Sequence, residues 1–368
     1  MRIGIDARIL TGAPTGIGNY LQHILHALSL IDHENDYVLY THVPSQVTFN
    51  NPRWQKHEGA HRWGPQTCWM MSTGALQVYR DKIDLFWAPW PMVPFYLPCK
   101  IALTVCDLVW EHYPQAVHPA QMLMHKLLTS PSINRADIIF SISEASLNDV
   151  RRFYPNKTNL HLTYCSVNPV YAPCPKAAAR AYLAQKFGLV RPFLLDVATI
   201  EPKKNLPLLF KAFKKLKMDH GLEHQLVIAG GKGWLQAPIY KTLMDMDFRK
   251  DDVIFLGYVE NNDLKMLYNA ADVFAFPSLW EGFGIPPLEA MHCGCPVIVS
   301  NIPALSEVVG DAGLKVDPSD ADALAMNIKR IIDSASLRDE LILKGLKRCQ
   351  DFSWEKSART VLDAFKNL

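Results

Sequence analysis

Short apolar runs separated by longer stretches of helical spacing dominate this chain. In the first half Arg2–Asp6, Tyr37–His42, Ile83–Trp87, Ile101–Val105 and Asp137–Ser141 read as strands. Between them Gly18–Leu30, Gln121–Leu128 and Glu144–Phe153 repeat apolar residues three and four apart, as one face of a helix requires. Strands that are apolar on both faces and alternate with helices predict a parallel sheet covered on both sides. The second half repeats the rhythm, with strands at Phe193–Ala198, Gln225–Gly230, Val253–Tyr258, Val273–Pro277 and Pro296–Ser300, each followed by a helical pattern. The closing segment FSWEKSARTVLDAFKNL predicts a last amphipathic helix with Ser353 as its N-cap.

Between the halves, SVNPVYAPCP (Ser166–Pro175) has three prolines in ten residues and no apolar period, so it reads as a linker. A chain of 368 residues also exceeds the roughly 250–300 at which one core stops growing. Two α/β domains are therefore expected, residues 1–170 and 176–350, both doubly wound and Rossmann-like, with a cleft between them. In such sheets ligands bind beyond the carboxyl ends of the strands, so chemistry is sought in the loops that follow them.

Composition narrows the function more by exclusion. A formal charge of +2 carries no polyanion footprint, which argues against nucleic acid as a partner. No run of about 18 apolar residues is present and MRIGIDARIL lacks the parts of a signal peptide, so a cytoplasmic protein is expected. The eight cysteines (68, 99, 106, 165, 174, 293, 295 and 349) form no C-x-x-C pair, and neither a zinc site nor a disulfide framework is indicated.

Chemistry concentrates in LWEGFGIPPLEA, directly after the strand VFAFP, where Glu281 and Glu289 stand eight residues apart around Gly-Phe-Gly. Pro286 and Pro287 are tolerated only in the first turn of a helix, which places Glu281 in the strand-end loop and Glu289 one turn into the helix. Backbone N–H groups of Phe283, Gly284 and Ile285 at that helix start suit anionic or oxygen-rich groups. Two flanking carboxylates can each accept a pair of hydroxyls, one from a hexose and one from a ribose. The competing reading makes Glu289 a solvated helix carboxylate.

A second concentration is VATIEPKKNLPLLFKAFKKL, where Asn205 is a candidate cap, Pro207 lies in the first helical turn, and Thr199, Lys203 and Lys204 fall in the loop after Phe193–Ala198. Two ammonium groups there can neutralise a diphosphate leaving group; solvated surface lysines are the alternative. A third, TGAPTGIGNYLQHIL, places Gly12, Gly16 and Gly18 at a helix start but does not have the dinucleotide-binding spacing, and a plain helix-start turn competes with a phosphate loop.

The E-x7-E pattern with G-F-G and P-P inside it, followed by EAMHCGCPVIVSN, resembles the donor-site signature of retaining glycosyltransferases of family four, which have the GT-B fold. The resemblance spans nearly the whole chain and is most specific over residues 193–317. It implies that Glu281 meets the transferred sugar and Glu289 the ribose. It also implies that the Gly16 and Gly18 segment closes over the donor phosphates, that the backbone near Val259 holds the base, and that the helix 353–368 crosses back to complete the first domain. Relatives have Arg-Lys where this chain has Lys203 and Lys204, which keeps the charge but loses the bidentate fork. In TVCDLVWEHYP relatives read T-V-H-D-L, so Cys106 stands where a histidine is usual, while Asp107 matches and suits either orientation of a hydroxyl or a plain turn. SISEASLNDV resembles the family's S-x-x-S stretch, with Ser143 read as an N-cap.

The implied reaction is transfer of a glucose- or mannose-type hexose from a UDP- or GDP-sugar to a hydroxyl of a glycan or lipid-linked saccharide, with retention, without metal and without cofactor, in polysaccharide biosynthesis. An epimerase- or phosphorylase-like enzyme and a weakly active sugar-nucleotide-binding subunit remain the alternatives. Trp54, Trp63, Trp69, Trp87, Trp90 and Trp110 crowd the first third, and with Met122, Leu123, Met124 and Leu127 they suit core packing, sugar stacking or peripheral contact with the inner face of the plasma membrane.

Overall fold

The computed structural model describes residues 1–12, 16–59, 66–113 and 119–368. They form two compact units, Met1–Cys165 with Ser353–Leu368, and Ser166–Phe352. The first holds strands β1 (Arg2–Asp6), β2 (Asp36–Thr41), β3 (Trp54–Glu58), β4 (Leu85–Ala88), β5 (Lys100–Val105), β6 (Ile138–Ser141) and β7 (Leu160–Leu162). They lie in the order β3-β2-β1-β4-β5-β6-β7, all parallel. The second holds β8 (Phe193–Val197), β9 (Gln225–Ala229), β10 (Val253–Gly257), β11 (Val273–Phe276), β12 (Val297–Ser300) and β13 (Gly313–Val316), in the order β10-β9-β8-β11-β12-β13, again all parallel.

The central strands are those that the apolar runs predict. LFWA in β4, IIFS in β6, VFAF in β11 and VIVS in β12 are buried throughout, as helices on both faces of a parallel sheet demand. β3, β7 and β13 carry no such run and escape the hydrophobic pattern. Each is an edge strand, and WQKHE in β3 shows why: an edge exposes one side and takes charged residues.

Helix Trp354–Lys366 belongs to the first unit, its Ser353 cap accepting from the Lys356 N–H at 3.4 Å. It packs on helix Gly16–Ile31, with Trp354 stacked on His23 at 5.1 Å, and places Phe365 edge-on to Trp87 at 5.9 Å. Packing also claims Trp69, Trp87 and Trp110, all buried, and Trp54, stacked on Tyr37 at 4.2 Å; Trp90 is half-buried and Trp63 lies outside the described residues. The expected helix Gln121–Leu128 is part of a longer one, Pro119–Met124 running through a π turn, His125–Thr129, into Ser130–Arg135. No helix among the described residues is long and apolar enough to cross a membrane.

Strand order reverses between β1 and β4 in the first sheet and between β8 and β11 in the second. Loops diverge at such a point and leave a crevice at the carboxyl ends. The candidate residues after β8 and β11 flank the second of these points.

Candidate functional site

The loop leaving β8 is built on close backbone approach. Ala198 N donates to Ala229 O at 2.9 Å and Ile200 N to Gly231 O at 3.0 Å, so the loop runs beside the Gly230–Trp234 turn. A Cβ at Gly230 would sit 1.9 Å from the Ala198 carbonyl oxygen, so only glycine fits. Thr199 is exposed at this edge, and the chain then makes a 3-10 turn, Pro202–Lys204, before helix Leu206–His220. Asn205 does not cap that helix with its side chain, contrary to the sequence reading. It adopts the left-handed conformation at φ 55° and its Nδ2 donates to the carbonyls of Pro277, at 3.1 Å, and Pro318, at 2.8 Å. The amide thereby ties the lysine loop to the ends of the neighbouring strands, a three-dimensional partnership that outweighs the local cap.

The second loop is held against the first by Leu279 N donating to Lys203 O at 2.7 Å. This brings Lys204 Nζ within 2.6 Å of Glu281 Oε1, both side chains only 12% exposed, with the ammonium also 5.0 Å above the Phe276 ring. Burial alone would raise the Glu281 pKa, yet the charges of Lys204 and Lys203, with the Lys204 hydrogen bond and Ser278, hold it below the ordinary carboxylate value. Lys203 lies 3.4 Å from Glu201.

Helix Ile285–His292 starts at Gly284, whose φ of 122° and a Cβ position 2.6 Å from Leu305 both require glycine. Pro286 and Pro287 fill the first turn and bring no N–H, so the donors at this helix start come from Ile285 and the residues before it. Phe283 is buried, edge-on to Phe352 at 5.5 Å, and anchors the turn. Glu289 is half-buried and accepts from the Tyr268 hydroxyl at 2.9 Å. Burial pushes its carboxyl up to about 8, against the lowering effect of that hydrogen bond. Val259 is buried just past β10, where Gly257 turns the chain at φ 71°.

Two groups escape sequence reasoning. Tyr268, the Glu289 partner, is one aromatic among the apolar positions of helix Asn261–Ala270. Asp196 lies inside β8, fully buried, with neither carboxyl oxygen hydrogen-bonded. Its only sequence signal is an acid within the apolar run FLLDV.

The remaining candidates lie in the first unit. Gly16 and Gly18 form the first turn of helix Gly16–Ile31, and residues 13–15 of the glycine segment lie outside the described residues. Cys106 follows β5; its carbonyl accepts from Ser146 Oγ at 2.6 Å, and burial, then the Asp107 carboxylate, raises its thiol pKa well above the ordinary value. Asp107 accepts from Val109 N at 3.2 Å, the turn role that its position allows. Ser143 caps helix Glu144–Phe153, accepting from Ser146 N at 3.0 Å. The structure thus groups Lys203, Lys204, Glu281 and the Gly284 turn in one corner of the second unit, with Glu289 farther along the same helix.

Comparison with known proteins gives the chain a family. The family described as Glycosyl transferases group 1 matches residues 184–348, which include both loops. The O-antigen chain mannosyltransferase B of Escherichia coli is 34% identical over 301 residues, 80% of this chain and 76% of its own. The chain belongs to the group 1 glycosyltransferases.

Solved structures show that this glycosyltransferase has the GT-B fold. Sucrose-phosphate synthase from Thermosynechococcus elongatus superposes with a TM-score of 0.80 at 22% identity, covering 100% of this chain and 98% of that one. HepE of Anabaena, solved in complex with UDP and glucose, gives 0.76 at 17% identity, covering 100% and 99%. The mannosyltransferase relatives support a hexosyl-transferring enzyme, and the corner built by β8 and β11 lies within the matched region.

Proposed function

We propose that this glycosyltransferase transfers mannose, or else glucose, from a UDP- or GDP-linked donor to a hydroxyl of a growing glycan, with retention. The observation that carries the reading is the Lys204–Glu281 pair at 2.6 Å beside a helix start that glycine opens. Lys203 and Lys204 receive the diphosphate, Glu281 the sugar hydroxyls and Glu289 the ribose hydroxyls. Thr199 and the N–H groups of Phe283, Gly284 and Ile285 complete the phosphate and sugar contacts, and the backbone at Val259 borders the base. Asp107 and Cys106 belong to the acceptor side. Mannose comes first because the E. coli relative is an O-antigen chain mannosyltransferase, which also supports a glycan acceptor; a UDP donor draws support from HepE.

In this mechanism the bond from the anomeric carbon to the diphosphate oxygen breaks, its electron pair leaving with the phosphate. The acceptor oxygen bonds to the face just vacated and its proton passes to the departing phosphate oxygen. Lys203, Lys204 and the helix start offset the developing charge, the role that a divalent cation would otherwise fill, and no cofactor takes part. Turnover with a panel of UDP- and GDP-hexoses, followed by product stereochemistry, tests donor and retention together. An inverted product would overturn the mechanism. Excess EDTA should leave the rate unchanged, and its abolition would overturn metal independence.

Peripheral membrane contact on the cytoplasmic side belongs to the same reading. Phe95, Tyr96, Leu123, Met124 and Leu127 are exposed, and Arg135 binds the carbonyls of Pro94 and Phe95, tying that loop to the helix end. Flotation with anionic vesicles should recover the protein, and recovery unaffected by Leu123→Ser with Leu127→Ser would remove these residues from the contact.

A further inference from the structure

A third ionisable group, Asp196 inside β8, feels the charges of both Lys204 and Glu281, and no donor contact explains it. Asp196 is 0% exposed, and both of its oxygens lack a hydrogen-bond partner. Its backbone pairs with Ile228 of β9, and it shares a strand face with Leu194, whose neighbours in the apolar core include Ile228, Ala275, Leu206 and Phe210. Those neighbours on β9, β11 and helix Leu206–His220 are uncharged. The charged groups that face Asp196 are Lys204, on the turn after its own strand, and Glu281, on the loop after β11. The charge of one ammonium therefore acts on two carboxyl groups, and its hydrogen bond goes to Glu281.

A buried carboxyl with no donor to satisfy it is costly when ionised, so it keeps its proton unless a cation compensates. Burial raises Asp196 most; the Lys204 charge opposes that rise and the Glu281 charge adds to it, leaving the carboxyl pushed up to about 8. Near neutral pH it is then a neutral acid, and Lys204 answers to Glu281 alone. Loss of the proton adds a full negative charge that acts on the ammonium that is to meet a diphosphate.

We propose that Asp196 is a positioning residue of the donor site: protonated, it leaves Lys204 to Glu281 and the diphosphate, and ionised it competes for that ammonium and weakens diphosphate binding. The inference rests on the donor-site reading above. It predicts an alkaline limb in nucleotide affinity that originates outside the groups touching the donor.

The test is UDP and GDP binding by calorimetry from pH 6.5 to pH 9.5, for the unaltered protein and for Asp196→Asn. Affinity of the unaltered protein for whichever nucleotide binds should fall about tenfold between pH 7 and pH 9, since one unit of linked pKa change is one decade in affinity. Asp196→Asn, neutral throughout, should lose at most about twofold over the same span. Asp196→Leu, similarly branched and also uncharged, provides the same comparison where the amide variant folds poorly. An equal fall in both proteins would overturn the role of Asp196 while leaving the donor site standing. Binding of neither nucleotide at pH 7 would overturn the donor-site reading, and the inference with it. Because a merely structural Asp196 would shift affinity equally at every pH, the slope and not the level is the decisive quantity.

Discussion

The two sheets of this glycosyltransferase share one plan and differ in what their strand ends hold. At the ends of β8 and β11 the second unit brings together two lysines and a glutamate, with a fully buried aspartate inside the strand itself. At the ends of β5 and β6 the first unit has a thiol that burial keeps neutral, a carboxylate occupied with a turn N–H, and two serines that bond each other, Ser146 also donating to the Cys106 carbonyl. On the donor-site reading proposed above, chemistry resides in the loops of one sheet, while the strand-end residues of the other engage in local hydrogen bonding. That reading gives charge stabilisation to the second unit and shape to the first.

The sharpest way to break this comparison is to remove charge from the second unit. Lys204→Ala and Glu281→Gln should each lower turnover on the order of a hundredfold or more, the usual effect of losing a group that meets developing charge. Initial rates of sugar transfer at saturating donor are the measurement, and losses no greater than those from changes at Cys106 would erase the distinction. Next in size is a structural effect. Gly230→Ala forces a methyl group onto the Ala198 carbonyl and should reduce stability by on the order of 3 kcal/mol. At Gly16 a Cβ meets nothing within 4 Å, so Gly16→Ala should change stability by less than about 1 kcal/mol. Urea unfolding of the two variants checks whether the tight backbone belongs to the lysine loop alone.

How much of this was legible beforehand follows the same divide. Lys203, Lys204 and Glu281 could be placed in strand-end loops, and Glu289 one turn into a helix, because glycine and proline mark those positions locally. The central strands announced themselves by apolar runs, whereas β3 and β13, with lysines inside them, did not. Asn205 misled because a cap is a local preference and its real partners, the Pro277 and Pro318 carbonyls, are 72 and 113 residues away. Asp196 and Tyr268 were silent for a related reason. Whether a buried acid has a partner, and whether a helix tyrosine has a carboxylate to meet, are properties of packing that no spacing records.

A smaller effect concerns Glu289. Its carboxyl is raised to about 8 in the folded protein, so the folded state holds a proton that the unfolded chain releases near the ordinary value. The stability linked to that proton is fully present below the unfolded value and is lost as pH rises through about 8, since the folded state then binds more protons than the unfolded one. Glu289→Gln should flatten this slope and at pH 9 be the more stable protein by on the order of 1 kcal/mol. Thermal unfolding at pH 6 and pH 9 decides it, and parallel slopes would remove Glu289 as the source.

The smallest expected effect bears directly on the first unit. The resemblance to T-V-H-D-L implies a histidine where Cys106 stands, and a needed imidazole would make the present enzyme a weakened one. The structure gives the position another use: its backbone carbonyl accepts from Ser146 Oγ at 2.6 Å, and that bond is indifferent to the side chain. The thiol is held neutral by burial, so it offers no charge and little nucleophilicity. Cys106→Ser should therefore keep the transfer rate within about threefold, which is less than 1 kcal/mol of barrier, and Cys106→His should bring no gain. Ser146→Ala, which removes the donor to that carbonyl, should cost more than either. A Cys106→His variant tenfold faster than the unaltered enzyme would give the imidazole a role in transfer, and would mean that the first unit also contributes chemistry and not shape alone.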